Sequence, residues 1–296
     1  MGKKAYCGFG VDLDAVSGWI NTAGLKQQAN ATDVSRGIFG ATTGLDRTLK
    51  MLKRHQITAT FFIPGHTLES FPKQCEKVRD AGHEIGLHGY THEFVSDLSE
   101  EQELAVLQKS MKILEDFTGK RPRGWTAPAW TTSPSTVKLL EENGIVYDHS
   151  FMHHDCQPYY LPYQPEYIET DVSKKAEEWM KPMSQIKSSS VIEIPANWHL
   201  DDWPPLNIGM GVGSGFIDPD VVLKIWKAQF DFYYREYDTF IFPISIHPQV
   251  TGKAHVQEMQ EKFISYINSH EGVEWVTMGS MADKFREGAI EGYKFD

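Results

Sequence analysis

Two structural periods alternate along this chain, and the alternation constrains its fold more than any other feature. Short runs of apolar, β-branched and aromatic residues predict strands at residues 5–13, 57–64, 83–89, 124–130, 145–151, 190–198, 239–248 and 273–278. Helical patterns separate most of them, at residues 44–55, 69–81, 99–118, 135–143, 218–237 and 255–270. Repeated strand–helix units indicate a parallel sheet covered by helices. We therefore expect an α/β fold with an irregular barrel of seven or eight parallel strands; an open doubly wound sheet is the alternative.

The helix predicted at residues 99–118 has the clearest pattern, with apolar residues at spacings of three and four. Ser99 and Gln102 form a capping-box pattern at its start, and Gly119 ends it. Long polar insertions near residues 14–40, 152–189 and 200–217 do not fit the alternation, and the last contains a Gly-rich stretch at 209–215 that predicts a mobile loop. Segments this long are usually functional loops or interface elements.

Composition narrows the class of protein. A length of 296 residues suits one barrel, so we expect a single catalytic domain over residues 1–296. The chain has 29 Lys and Arg against 40 Asp and Glu, and its formal net charge of −11 argues against a nucleic-acid partner. It has no run of 18 apolar residues to span a membrane, no apolar segment typical of a signal peptide, and no C-x-x-C pair among its three cysteines. We therefore expect a cytoplasmic protein in a reducing compartment.

Carboxylates, imidazoles and aromatic rings follow several of the predicted strands. The first strand ends with Asp12 and Asp14, the third with His88 and His92 at H-x-x-x-H spacing, and the seventh with His247. In an α/β barrel these strand ends meet at one rim, which is where the active site lies. Each residue alone is also compatible with a turn, a helix cap or a buried histidine bonded to backbone. Their convergence on one rim favours a functional site.

These residue types suit one kind of chemistry. Two imidazoles and one carboxylate provide three ligands and leave an open position, which is how proteins hold catalytic zinc. A metal there polarises a carbonyl and lowers the pKa of its water. A second carboxylate takes the proton of the water, and an imidazole on the opposite side protonates a leaving amine. The set is sufficient to hydrolyse an amide with one divalent metal, for which we expect zinc.

Further candidates concern the substrate. Trp130 and Trp198 end the fourth and sixth predicted strands, so both rings can face the metal and stack on a flat substrate; packing in the barrel core is the alternative. Asn197 is a candidate for orienting a substrate carbonyl. Tyr90 and Pro128 are candidates for additional substrate contacts.

The motifs resemble those of the polysaccharide deacetylases, the NodB-homology carbohydrate esterases, over almost the whole chain. The resemblance looks closest to an intracellular branch that holds a peptidoglycan deacetylase-like protein and cyclic imide hydrolases. It implies a distorted (β/α) barrel, in agreement with the alternation. It also implies that Asp12 is the base and Asp14 a metal ligand. In the same way, His88 and His92 would bind the metal and His247 would be the catalytic acid, with residues 127–130 lining the groove.

The chain departs from the usual family motifs at three positions. Leu13 separates two aspartates that are usually adjacent, so the roles of base and ligand remain open between them. Ala127 stands where an arginine usually pairs with the base, so the pKa of the base must be controlled differently. Glu93 follows His92 where a proline is usual.

Three functions remain open at this point. The first is removal of N-acetyl groups from amino sugars of the peptidoglycan or chitin type. The second is the same chemistry on a small cyclic imide or ureide such as allantoin, because a cytosolic enzyme does not meet wall polymer. The third is a catalytically silent carbohydrate-binding module, although every catalytic position is filled. A polymer needs an open cleft, whereas a cyclic amide needs a closed pocket, which residues 152–189 or 200–215 would roof.

Aromatic residues also bear on assembly. Tyr159, Tyr160, Leu161 and Tyr163 crowd one long insertion. Exposed aromatic clusters often mark interfaces, so these residues predict a homo-oligomer. An insertion folded onto its own barrel is the alternative.

Overall fold

The structure, a computed structural model, describes residues 2–21, 28–208 and 215–295, so the Gly-rich stretch lies outside it apart from Gly215. Within these ranges, nine strands form one sheet in the order β6-β7-β5-β4-β3-β2-β1-β8, with β9 paired to β1. The strands are β1 (Lys4–Asp12), β2 (Thr60–Ile63), β3 (Glu84–Leu87), β4 (Gly124–Trp125), β5 (Tyr147–Asp148), β6 (Tyr159–Pro162), β7 (Ser188–Glu193), β8 (Thr239–Ile246) and β9 (Val273–Trp275). All are mutually parallel except β6, which runs antiparallel to β7. The predicted eight parallel strands are confirmed.

The sheet curls into a half-barrel surrounded by helices. Ladder hydrogen bonds do not join the two edge strands, β6 and β8, in the described ranges. Irregular segments span this gap. The Ile241 N–H donates to the Cys156 carbonyl at 3.0 Å, and Asp201 forms a single β-bridge with Ser245. The distorted (β/α) barrel is therefore confirmed, and this irregular closure is its distortion.

Thirteen helices accompany the sheet in the described ranges. They are α1 (Ser17–Ile20), α2 (Ala31–Phe39), α3 (Leu45–Arg54), α4 (Gly65–Ser70), α5 (Pro72–Asp80), α6 (Glu100–Thr118), α7 (Thr136–Glu142), α8 (Ala176–Trp179), α9 (Trp203–Leu206), α10 (Pro219–Glu236), α11 (Pro248–Thr251), α12 (Ala254–Ile267) and α13 (Met278–Arg286). A π-helical segment, Gly40–Gly44, joins α2 to α3, and 3-10 turns occupy Val95–Asp97, Pro128–Trp130 and Trp198–Leu200. Among the described helices, none has the length and hydropathy needed to cross a bilayer.

Local sequence signals explain where the long helices begin and end. At the start of α6, the Ser99 hydroxyl accepts from the Gln102 N–H and the Gln102 side chain accepts from the Ser99 N–H. Gly119 ends this helix at φ 71°, a left-handed conformation that glycine adopts without a Cβ clash. Asp218 caps α10, and Pro219 occupies its first turn.

Several elements differ from the sequence-based expectation. Strands β4 and β5 stop at Trp125 and Asp148 rather than near residues 130 and 151. Pro128 has no N–H for a ladder, and the chain turns there into a 3-10 segment. Strand β6 and helices α2 and α13 were not predicted. Two of them, β6 and α2, lie in insertions. The polar composition of these insertions gives no clear periodic pattern from which a short strand or helix could be predicted.

The aromatic cluster in the 152–189 insertion packs on the chain itself. Tyr159 and Leu161 are fully buried, and the Tyr163 hydroxyl donates to Glu141. Tyr160 remains 42% exposed at the surface. This cluster is therefore packed onto its own barrel, whereas residues 164–187 of the same insertion are mostly exposed. The cluster no longer supports the homo-oligomer that it suggested.

Side-chain alternation along β1 separates two apolar cores. Phe9 and Val11 point outward beneath the helices, whereas Tyr6 points into the barrel. The interior is narrow beside this strand. A Cβ on Gly8 would lie 2.5 Å from the Val276 carbonyl oxygen, a distance that no real contact allows. The inner core fills the lower barrel and leaves its carboxyl end to polar residues.

Candidate active site

Alternation brings predicted polar residues to the carboxyl end of the barrel interior. Tyr6 of β1 belongs to the inner core, so Asp12, six residues later, points the same way. Ile241 of β8 also belongs to the inner core, and His247 follows it by six residues. His88 comes directly after β3 and is 1% exposed. The strand register thus brings these side chains together at the carboxyl end of the barrel.

Asp14, His88 and His92 form a cluster of potential metal ligands. One carboxylate oxygen and one nitrogen of each ring lie within 4.8 Å of one another. Nε2 of His88 is 3.4 Å and Nε2 of His92 is 3.9 Å from Asp14 Oδ1. Asp14 Oδ1 and His88 Nε2 are buried and have no hydrogen-bond partner in the described part of the chain. Buried polar atoms rarely stay unpaired, so two that converge on one point fit a bound cation.

A backbone carbonyl fixes the orientation of the His88 ring. Nδ1 of His88 is 2.9 Å from the carbonyl oxygen of Thr126. A neutral ring that donates from Nδ1 presents the lone pair of Nε2, which is the usual state of a metal-bound histidine. His88 is therefore prepared to bind a cation through Nε2.

Hydrogen bonds involving Glu93 and Asn21 stabilise the loop between His88 and His92. The Glu93 carboxylate accepts hydrogen bonds from the N–H groups of Tyr90 and Thr91. The His92 carbonyl accepts from Asn21 Nδ2 at 2.6 Å. Glu93 occupies a position where family motifs usually have proline. It therefore stabilises the loop that connects His88 to His92.

Asp12 and His247 flank the cluster. Asp12 Oδ2 is 3.8 Å from His88 Nε2 and 3.7 Å from His247 Nε2. On the other side of the His247 ring, Nδ1 lies 2.8 Å from Asp202 Oδ1 and 3.6 Å from Asp201 Oδ1. Asp202 also accepts from the His247 N–H. His247 is thus oriented by one carboxylate and points its free nitrogen toward another.

The two carboxylates of the first motif have different acidities. Burial raises the pKa of Asp12, although the charges of His88 and His247 oppose it. Burial acts in the same sense on Asp14, but His92 and His88 outweigh it and hold the pKa of Asp14 below its usual range. Asp14 is therefore the stronger acid and the better permanent anion, whereas Asp12 accepts a proton more readily.

The histidines also differ. Burial lowers the pKa of His92 to about 4, so its ring is a neutral ligand at pH 7. Burial also acts to lower the pKa of His247, but Asp201 and Asp202 outweigh it and raise that pKa well above the usual value. His247 is therefore protonated at neutral pH, as a general acid must be.

A cavity of about 540 Å³ opens above these groups. Its charged and aromatic lining comprises Asp12, Asp14, Asp201, His92, His247, Phe94, Trp130, Trp198 and Trp203. In the described ranges, no lysine or arginine lines it. A pocket of this size, with apolar walls and a few convergent polar groups, suits a small ligand.

Two of the three insertions wall this cavity. Gly18 and Asn21 come from residues 14–40, and Trp203 and Pro204 come from residues 200–217. The rings of Trp19 and Trp203 meet with centroids 5.8 Å apart, which ties the two walls together. Residues 152–189 do not line the cavity.

The tryptophans lie in turns rather than at strand ends. Trp130 belongs to the 3-10 turn after β4, and Trp198 begins a 3-10 turn after β7. Their rings meet edge-on with centroids 4.5 Å apart, and Trp198 is 40% exposed. Neither ring belongs to an apolar core of the described chain, so the alternative that both tryptophans pack in the barrel core is wrong.

Strained backbone surrounds the cavity. Ala15, His92, Ala129 and Trp130 have φ between 50° and 60°, in the left-handed region that residues with a Cβ avoid. Elsewhere in the described chain, Gln56 is the other such non-glycine residue. Each conformation of this kind costs on the order of 1–3 kcal/mol, and such strain clusters at functional sites.

Three predicted substrate contacts lie outside the cavity lining. The Tyr90 hydroxyl donates to Glu69. The Asn197 amide donates to Gln229, while its oxygen caps the turn at residue 199. Pro128 is buried against the H-x-x-x-H loop. The structure does not bring these three side chains to the cavity.

Sequence reasoning missed Asp201, Asp202, Trp203 and Gln249. Asp201 and Asp202 precede Trp-Pro-Pro, which looks like a turn, and Gln249 follows His-Pro at the start of a helix. The hydrogen bond between Asp202 and His247 joins residues 45 positions apart, and the one between Gln249 and Asp14 joins residues 235 positions apart. A pair of adjacent aspartates next to a tryptophan was the one local signal.

Known proteins resemble the chain along its whole length. The sequence profile described as Polysaccharide deacetylase matches residues 39–148. A Helicobacter pylori protein named peptidoglycan deacetylase is 43% identical over 287 residues, which are 96% of this chain and 97% of that protein. The peptidoglycan deacetylase-like protein FGM2 of Gibberella zeae is 38% identical over 286 residues, 93% of this chain and 84% of its own.

Solved structures share the fold. A Mycobacterium smegmatis protein assigned to the polysaccharide deacetylases superposes with a TM-score of 0.79 at 25% identity, over 100% of this chain and 95% of its own. PuuE allantoinase superposes with a TM-score of 0.76 at 23% identity, over 99% of this chain and 93% of its own. The second likeness concerns the fold alone. Full-length identity to named deacetylases, together with the matched profile, shows that the chain belongs to the polysaccharide deacetylase family, enzymes that hydrolyse N-acetyl amide bonds.

Proposed function

We propose that this enzyme uses a divalent metal, zinc, to remove N-acetyl groups from amino sugars of the peptidoglycan or chitin type. The observation that carries the proposal is the convergence of Asp14 Oδ1 and His88 Nε2, both buried and unpaired in the described chain, beside His92. This cluster faces a cavity that Asp12 and His247 also line. The names of the full-length relatives support the substrate class.

The donor set fits zinc. One carboxylate and two imidazoles are ligands that zinc accepts, and three protein ligands leave a position open. Asp14 is a stable anion and His92 a neutral base, as ligands must be. The chemistry that a bound divalent cation supplies is polarisation of the amide carbonyl and a lowered pKa of water.

Asp12 and His247 handle the protons in this proposal. Asp12 Oδ2 accepts the proton of the attacking water as the water oxygen bonds to the carbonyl carbon. His247 Nε2 then donates its proton to the leaving nitrogen as the C–N bond breaks, and the products are acetate and a free amine. Asp202 holds the His247 ring in the orientation for this transfer.

Trp130 and Trp198 act as substrate contacts. Sugar rings have flat apolar faces that stack on aromatic side chains. Both indoles line the cavity, and their edge-on contact fixes one ring against the other. Asn197, Tyr90 and Pro128 are not part of this proposal, because their side chains are engaged elsewhere.

The cavity favours a second candidate, hydrolysis of a small cyclic imide or ureide at the same groups. Its volume of about 540 Å³ and its walls from two insertions suit a compact ligand more than an extended polymer. No lysine or arginine of the described lining is available for an anionic substrate. The two candidates share the metal, the base and the acid.

A substrate panel after metal analysis tests the proposal. We expect about one zinc per purified chain, by analogy with three-ligand catalytic sites. We also expect acetate release from N-acetylated chitooligosaccharides, whereas ring opening of succinimide, hydantoin or allantoin would select the second candidate. His92→Ala should lose zinc and activity together. A fully zinc-loaded, active His92→Ala protein would contradict the ligand assignment.

Location and assembly remain predictions. The cytoplasmic location rests on the sequence features described above, and the homo-oligomer has lost the aromatic cluster that suggested it. Sedimentation at micromolar concentration tests the second, because a monomer has a mass of 33.7 kDa.

A further inference from the structure

Gln249 is the side chain that touches Asp14 from behind the metal-ligand cluster. It lies in α11, two residues after His247, and is 5% exposed. Its amide nitrogen is 3.0 Å from Asp14 Oδ2. This contact joins the end of β8 to the end of β1 across the site.

The hydrogen bond determines which oxygen of Asp14 remains free. A carboxylate can only accept, so the Gln249 amide nitrogen must be the atom that faces it. Oδ2 is then occupied, and Oδ1 is the oxygen directed at His88 and His92. Among the residues that the structure describes, no amide donates to the Asp12 carboxylate in this way, and Asp12 lies between His88 and His247 instead.

Packing keeps Gln249 in this position. Its side chain lies against Gly40 at the start of the π-helical segment. A Cβ on Gly40 would lie 3.0 Å from both Cβ and Oε1 of Gln249, closer than most real contacts. The absence of a side chain at Gly40 therefore leaves room for the amide to reach Asp14.

We propose that Gln249 is a positioning residue for the metal site: it holds the Asp14 carboxylate so that Oδ1 alone serves as ligand. The inference rests on the proposed function, because it requires a metal at Asp14, His88 and His92. Outer hydrogen-bond partners of metal ligands typically contribute about 10–100-fold to metal affinity. Gln249 also lies in the four-residue helix α11, whose N-cap residue is His247, so one short segment aligns the ligand and the acid.

The test measures the zinc dissociation constant by competition with a chromophoric chelator. Gln249→Met has nearly the same shape but cannot donate, and we expect zinc affinity to fall about 10–100-fold. At saturating zinc, KM should stay near the wild-type value. The matched control is Gln257→Met, because the Gln257 amide donates to the Thr251 carbonyl rather than to a carboxylate. Its zinc affinity should equal that of wild type.

Gly40→Ala provides an independent arm that leaves Gln249 in place. Its methyl group should displace the amide and weaken zinc binding in the same direction, which keeps the proposal testable if Gln249→Met does not fold. Zinc affinity within twofold of wild type in a folded Gln249→Met or Gly40→Ala protein would overturn the inference. A lower melting temperature with unchanged zinc affinity would mean that Gln249 only packs, and would also overturn it. A wild-type protein that binds no zinc would instead overturn the proposed function on which the inference depends.

Discussion

Asp12 and Asp14 are two residues apart and point the same way, yet their surroundings differ. Asp14 accepts from Gln249 and lies close to two histidines on its other side. Asp12 faces His247, and its pKa is raised by burial. These environments favour Asp14 as ligand and Asp12 as base, the assignment that the intervening Leu13 had left open.

Substitution by asparagine separates the two roles. Asp12→Asn should keep zinc and lose kcat by at least about 10²-fold, the lower value for a positioned base. Asp14→Asn should lose zinc, because a neutral amide is a poor ligand in a site built for an anion. Zinc content and kcat measured on both proteins decide the matter. If Asp14→Asn keeps its zinc while Asp12→Asn loses it, the roles are reversed.

Asp201 and Asp202 both raise the pKa of His247, the proposed acid, and the acid form of His247 is lost as pH rises through that pKa. Asp202 is the carboxylate that also bonds to the ring. Asp202→Asn removes the charge, so the pKa of His247 should fall and the alkaline limb of the kcat/KM profile should move to lower pH. An alkaline limb that stays in place would show that another group controls it.

The sequence allowed the side chains that gather at the proposed site to be predicted, but not the side chains that orient them. Asp12, Asp14, His88, His92 and His247 follow strands, and strand ends meet at one rim whatever the details of packing. Asp202 and Gln249 lie in a turn and a short helix, where no periodic pattern shows which way a side chain points. Their partners are distant in sequence, so only the folded chain reveals them.

Among the elements, β5 and β7 are joined by a buried pair of carboxyl groups. Asp148 and Glu193 are paired in register and fully buried. Asp148 Oδ2 and Glu193 Oε2 have no other partner in the described chain. Burial raises the pKa of Asp148 to about 6 and that of Glu193 well above its usual value. Two carboxyl groups in this position hold a proton at neutral pH.

This pair should make stability fall as pH rises. Carboxyl groups whose pKa is raised in the folded chain stabilise it fully below their unfolded pKa, and that contribution is lost as pH rises through the folded value, about 6 for Asp148. Glu193→Gln keeps an acceptor for the N–H groups of Ser150 and Phe151 and gives Asp148 a donor that needs no proton. Its melting temperature should exceed that of wild type at pH 8 and match it near pH 5. The exposed control Glu236→Gln should follow wild type at both pH values, and a parallel decline of Glu193→Gln would contradict the assignment.

The turns after β4 and β7 carry the aromatic walls, and their contribution is expected in binding. A stacking ring binds ground and transition states about equally, so Trp198→Ala should raise KM more than it lowers kcat. Because Trp198 is 40% exposed, its loss should change the melting temperature little. Phe232, 47% exposed on α10 and outside the cavity, provides the matched control Phe232→Ala. A large drop in melting temperature with unchanged KM would rule out the binding role.

Element prediction succeeded where pattern and length were both favourable. Strands β1 and β8 are long and apolar, and α6 has a complete cap at each end, so each was predicted within a few residues. Strand β6 pairs antiparallel inside an insertion, and α13 contains Gly279, whose missing side chain makes room for Glu84. Tertiary contacts rather than local propensity determine both, which is why the sequence did not reveal them.

At the scale of the whole molecule, the barrel strands position the proposed catalytic groups, and two insertions form walls of the cavity. Residues 14–40 and 200–217 reach the rim from distant parts of the sequence and meet through Trp19 and Trp203. The 152–189 insertion lies apart from the cavity. These two loops therefore bound the space that a substrate can occupy, while the polar groups at the base of the cavity follow the strands.

Removal of the metal should abolish activity without unfolding the protein. Two large apolar cores lie below the site, so the fold does not depend on the cation as it does in small zinc domains. A bound cation would offset the mutual repulsion of Asp12, Asp14, Asp201 and Asp202, which are buried close together. Chelated protein should keep its circular dichroism spectrum and melt at a lower temperature.

Zinc at 100 times its dissociation constant should restore about 2.7 kcal/mol of unfolding free energy. The melting temperature of His92→Ala should not change when zinc is added. If the melting temperature of the wild-type protein did not depend on zinc either, binding at this site would be contradicted.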